Sequence, residues 1–196
     1  DGDMFFDFEG DPFVGRSGLE YLFGHLEQAN DGRWTYVERW AVTLAEEKAA
    51  FEDFVDRVMA RWQANPSMHI YHYAAYEPSA MKRLMGRHAT RQDEVDRMLR
   101  GGLFVDLYAI VRQALRASVE RYSIKNLEPL YGFAREIPLD AASPQLRQVE
   151  YALEMNDPGG VTEDLRKAVA SYNRDDCAAA RALRDWLEQL RAQVVA

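Results

Sequence analysis

Three short stretches near the start of the chain carry strand-like patterns. Met4–Glu9 is aromatic-rich and bounded by Gly2 and Gly10. Glu20–Glu27 and Trp34–Val42 follow across the turn signals Gly15-Arg16-Ser17-Gly18 and Asn30-Asp31-Gly32, which predicts an antiparallel meander. Thr43-Leu44-Ala45-Glu46 is a capping box, and Phe51, Phe54, Val55, Val58 and Trp62 then recur at helical spacing until Asn65-Pro66. Met68–Tyr73 reads as a fourth strand. Pro78 suits a first helical position, opening a helix through about Arg87. Leu103–Val105 is a short apolar strand, followed by a helix from Leu107 to Ser118. Four of the seven prolines fall between Glu128 and Gly160, predicting loops with a helix near Gln145–Met155, and Thr162 starts a long final helix. The order β-β-β-α-β-α-β-α, then further helices, implies an α/β fold. A mixed central sheet, antiparallel in its first three strands, carries helices on both faces.

Length fits one domain spanning residues 1–196, with enough apolar material for a single core. A strand pattern beginning by Met4 suggests a piece excised from a longer polypeptide. One cysteine, Cys177, excludes an internal disulfide framework and any multi-cysteine metal site within this chain, and points to a reducing, cytoplasmic setting. No apolar run is long enough for a membrane span. The net charge of −8 argues weakly against a polynucleotide partner, and its distribution softens that objection. Lys82 to Arg135 holds eleven basic residues against six acidic ones, a net +5, and is expected to carry a polynucleotide, with Arg83 and Arg87 among its contacts. The plainer alternative is a set of solvated helix faces.

Acids stand in unexpected places. With period 2, Asp7 and Glu9 share one face of the first strand, about 7 Å apart, while Phe6 and Phe8 take the other. Like charges so close favour a bridging cation, unless the strand is an edge with its acids in water. The last helix has an apolar stripe of Leu165, Val169, Tyr172, Ala179, Leu183, Trp186, Leu187, Leu190 and Val194, and Asp176 interrupts it. A carboxylate there calls for a partner or a metal. Asp175 is turned about 100° away and reads as a solvated acid. Tyr172, one turn before Asp176, suits either core packing or the site. Glu77 at a helix start and Asp106 at a strand end are each explained singly as helix-terminal acids, and His72 as a core histidine.

The ordered set Asp7-x-Glu9, His72-x-Ala74-x-Tyr76-Glu77, Val105-Asp106-Leu107 and Tyr172-x-x-x-Asp176 resembles the DnaQ-like DEDD exonucleases of the ribonuclease H-like fold. More closely, FFDFEGDPF, EYLFG, IYHYAAYEPSAMKRL, FVDLYAIVRQ, YSIKNLEPLYG and SYNRDDC are similar to the RNase H-like domain of bacterial RecB-like nucleases. In those proteins the domain usually lies beside a second nuclease domain and is sometimes fused to a helicase. The resemblance implies a two-metal phosphodiesterase. Asp7, Glu9 and Asp176 would hold one Mg²⁺ or Mn²⁺, Asp7 and Glu77 the other, and Tyr172 would orient the attacking water. Glu77 falls where Asp is usual, compatible with contact through water or with help from Asp106. Lys125 is a candidate phosphate contact.

The implied activity is a 3′–5′ exonuclease on single-stranded DNA or RNA. The alternatives are an RNase H-like endonuclease on hybrids or branched DNA, and a catalytically weak nucleic-acid-binding module of a larger nuclease–helicase protein.

Overall fold

The computed structural model describes residues 2–29 and 31–195, the side chains of 139–141 and 195 apart. Asn30, one of the expected turn residues, lies outside the described residues. Strands β1 (Met4–Asp11), β2 (Leu19–Gln28) and β3 (Trp34–Trp40) form the meander. They are followed by α1 (Leu44–Ala64), β4 (Ile70–His72), α2 (Tyr76–His88), α3 (Gln92–Arg100), β5 (Phe104–Asp106), α4 (Leu107–Ala114), α5 (Ile124–Leu127), α6 (Leu139–Glu154) and α7 (Glu163–Val195). The sheet order is β3-β2-β1-β4-β5, antiparallel across the meander and parallel from β1 through β4 to β5. β1 is therefore the central strand, which rules out a solvated edge for its acids.

Alternation along β1 divides the core. Met4, Phe6 and Phe8 pack against Phe51, Phe54, Val55 and Val58 of α1 and against Met81 and Leu84 of α2. Phe5 faces the other way, joining Cys177, Ala179, Ala180 and Leu183 of α7 with Leu107 and Val111 of α4. A third cluster closes α6 over Leu19, Tyr21 and Leu22 of β2. Helices on both faces bury the apolar residues of the central strand and leave Asp7 and Glu9 partly exposed, as expected for a strand with a parallel neighbour. Among the described residues no helix is long and apolar enough to cross a membrane.

Several boundaries differ from the sequence reading for identifiable reasons. Thr43 caps α1 as expected, accepting from the Glu46 amide at 3.2 Å. Helix α2 begins at Tyr76, so Pro78 is its third residue, still within the first turn where its missing N–H costs nothing. Helix α3 was not anticipated; only Val95 and Met98 of its nine residues are buried, too few to show a period. The helix after β5 stops at Ala114, because Leu115 turns extended and the Ala117 amide bonds the Tyr122 hydroxyl at 3.1 Å. Helix α6 starts six residues earlier than expected and accepts Pro144 in its interior, forfeiting one amide bond.

Candidate active site

The strand pleat and the phase of α7 bring three acids together. Asp7 and Glu9 stand on the β1 face that α7 covers, and Asp176 meets them from the helix. One carboxylate oxygen from each of Asp7, Glu9 and Asp176 lies within 4.8 Å of the other two, and all three residues keep partial exposure. Asn173, one turn before Asp176, completes the group. Its Nδ2 donates to Asp7 Oδ2 at 3.0 Å and to Glu9 Oε1 at 3.2 Å. The Tyr36 hydroxyl donates to Asn173 Oδ1 at 2.9 Å, which fixes the orientation of that amide.

A fourth acid arrives from α2. The link from β4 places Ala74 at φ 71°, a left-handed conformation that a non-glycine residue adopts only under constraint. The constraint is visible: the Ala74 amide donates to Asp106 Oδ1 at 2.9 Å, and His72 Nδ1 donates to the Ala74 carbonyl at 2.6 Å. This kink sets Glu77 at the start of α2, 2% exposed, with Oε2 3.2 Å from His72 Nδ1 but outside hydrogen-bonding geometry. An orphaned buried carboxylate oxygen beside three converging acids is a state that a bound cation would satisfy.

The electrostatics are those of crowded carboxylates. Loss of water, then the charges of Glu9, Asp176 and Glu77, push Asp7 well above the ordinary carboxylate range. Glu9 is pushed up to about 8 by loss of water and by Asp176, against the opposing hydrogen bond from Asn173 and the charge of Lys125. An all-oxygen donor set of this kind suits hard divalent ions. A family model described as the RNase_H superfamily matches residues 4–188, nearly the whole chain. The chain belongs to the RNase H superfamily. No curated protein and no solved structure gives a significant match.

Around the acids of this RNase H superfamily domain, the other residues singled out in the sequence take distinct places. Tyr172 is buried on the α7 face, its hydroxyl bonded by Lys125 Nζ and its ring flanked by Lys125 at 4.9 Å and the Arg135 guanidinium at 5.6 Å. Asp106 is not among the converging acids; its Oδ1 clamps Ala74 and caps α4 through the Tyr108 amide at 2.9 Å. Arg83 donates to Glu20, and Arg87 bonds both oxygens of buried Glu47 at 2.8 Å. Arg87 is largely buried against Glu47, whereas the Arg83 side chain stays 42% exposed. Asp175 is not a solvated acid. It is 4% exposed and accepts from the Glu136 and Ile137 amides at 2.9 and 3.2 Å.

Two contributors escaped the sequence reading. Asn173 lies three residues before Asp176 and four after Val169, on the same stripe, so helical phase alone marks it as a second polar interruption. Arg135 left no comparable sign. It sits in the loop before α6 and reaches Asp176 Oδ1 at 2.5 Å.

Proposed function

We propose that this domain is a metal-dependent 3′–5′ exonuclease of the DEDD type acting on single-stranded DNA or RNA. The convergence of Asp7, Glu9 and Asp176, with Tyr172 one turn before Asp176 on the same helix, carries the reading. Asp7, Glu9 and Asp176 would hold one Mg²⁺ or Mn²⁺, and Asp7 with Glu77 a second. Bound ions of this type supply Lewis acidity, making water a nucleophile at neutral pH and stabilising the departing 3′ oxygen.

The chain's own residues do the rest. Asn173 holds the Asp7 and Glu9 carboxylates together through one amide. Burial keeps the Tyr172 phenol protonated, and because Lys125 donates to its oxygen, the phenol hydrogen is free to orient the attacking water. Lys125 also brings positive charge beside Glu9, where a phosphate must approach. The resemblance to RecB-like nucleases supports a single domain working in the cytoplasm beside flanking nuclease or helicase domains.

The test is degradation of single strands labelled at either end, with Mg²⁺ or Mn²⁺, alongside circular single strands. Loss of nucleotides from the 3′ end with circles intact is expected. Cut circles would transfer the assignment to an endonuclease; binding without hydrolysis would make the domain a binding module.

A further inference from the structure

The acid cluster has a cation built into its wall. The Arg135 side chain is 6% exposed, and its Nη2 bonds Asp176 Oδ1 and Glu128 Oε1, both at 2.5 Å. Its Nε bonds Glu128 Oε1 and Oε2 at 3.0 and 3.1 Å, while Nη1 is buried with no acceptor. Two of the three guanidinium nitrogens are thus engaged with two carboxylates. Glu128 grips it through the planar fork, and the fork passes that orientation on to Asp176.

We propose that Arg135, held by Glu128, is a positioning residue that fixes the Asp176 carboxylate for the divalent ion. The proposal rests on the metal-dependent reading above. Asp7 and Glu9 stand on a rigid central strand and share the Asn173 amide, but Asp176 has no bond to that amide. An acid on a helix face can rotate about its side-chain torsions, and the bond to Arg135 removes that freedom. Glu128 itself is 7% exposed at the end of α5, so the chain Glu128–Arg135–Asp176 is anchored in the core. Partners of this kind orient metal ligands, and their loss typically weakens metal binding by about 10–100-fold.

Charge and positioning predict opposite results, which makes the idea testable. A cation beside the ligands repels a divalent ion, so if Arg135 acted by charge alone, Arg135→Gln would tighten Mn²⁺ binding and Arg135→Lys would leave it unchanged. Positioning predicts that both variants weaken it, by about 10-fold or more for Arg135→Gln. Mn²⁺ affinity is read directly by titration calorimetry and by electron paramagnetic resonance of free Mn²⁺, with thermal melts of the apo proteins alongside. A lower melting temperature with unchanged or tighter Mn²⁺ binding in either variant would overturn the proposal. Should Arg135→Gln fail to fold, Arg135→Lys carries the decision, because it keeps the charge and loses only the fork. Failure of the wild-type protein to bind Mn²⁺ would overturn the metal-dependent reading as well, and so is distinguishable from failure of this step alone.

Discussion

Gly24 lies directly across the β1–β2 ladder from Asp7, and a Cβ placed on it would come within 1.7 Å of Asn173 Oδ1 and 2.6 Å of the Tyr36 hydroxyl. The bare backbone at that position is what lets Asn173 reach the acids. Gly24→Ala should therefore push Asn173 off Asp7 and Glu9 while leaving the sheet intact. Activity is expected to fall about 10-fold or more. The melting temperature should drop by the equivalent of about 1–3 kcal/mol, as for other overpacked sites. Steady-state rates together with thermal melts check both parts. Full activity in a well-folded Gly24→Ala protein would show that Asn173 is dispensable.

Crowding of the carboxylates sets the pH dependence. Glu9 titrates near 8 in the folded apo protein against an ordinary value of 4.5, and Asp7 is raised as well. A group with a raised folded pKa contributes stability below its unfolded value and loses it as pH climbs through the folded one. Apo stability from this site should accordingly decline between about pH 4.5 and 8. Divalent ions compete with those protons, so Mg²⁺ or Mn²⁺ affinity should rise over the upper part of the same window. Melts at several pH values, with and without metal, test this. A metal-induced shift that does not grow from pH 6 to pH 8 would contradict the assignment of those acids to the metal.

The neighbours Asp175 and Asp176 separate by role. Asp176→Asn removes a charge from the proposed metal site, and activity should fall by orders of magnitude. Its apo stability should change little, since relief of repulsion is opposed by loss of the ion pair with Arg135. Asp175→Asn keeps an acceptor but loses the charge that holds the Glu136 and Ile137 amides. It should cost about 1–2 kcal/mol of stability and leave activity within a few-fold well below the melting point. The reverse pattern would require a different helix register for the site.

These residues also show where the sequence is informative. The shared face of Asp7 and Glu9 follows from the period of a strand, and the inward phase of Asp176 from the period of a helix, so both are legible locally. Asn173 is equally accessible to phase, but a neutral amide on a core stripe costs less to bury than a carboxylate and so stands out less. Gly24 could not be read, because its meaning depends on the β1–β2 register and on the irregularity between Glu9 and Gly10. Arg135 is separated from Asp176 by 41 residues and delivered by a loop, where no periodicity applies. Asp106 and Arg87 show tertiary partners that residue type does not reveal, the Ala74 amide for one and buried Glu47 for the other.

The last prediction concerns which cations meet a polynucleotide. Arg87 is 13% exposed in its side chain and neutralises Glu47, which is fully buried; removing one member of such a pair typically costs about 3–5 kcal/mol. Arg87→Gln should therefore lower the melting temperature sharply without changing the salt dependence of binding. Arg112 differs. It is exposed, has no ion pair among the described residues, and stacks over the Tyr108 ring at 5.6 Å, while Tyr108 lies 5.6 Å from the Tyr73 ring and Tyr73 is bonded to the Tyr122 carbonyl just ahead of Lys125. Tyrosines with an exposed cation beside them suit single strands, whose bases stack on aromatic rings while phosphates meet the cation. Arg112→Gln should weaken binding uniformly across sequences and reduce the slope of log affinity against log salt by about one. Tyr108→Ala should weaken it about 10-fold with the slope kept, since stacking is not ionic. Fluorescence anisotropy of labelled single strands over a salt series distinguishes the two. Identical slopes in wild-type and Arg112→Gln proteins would place the strand on another face.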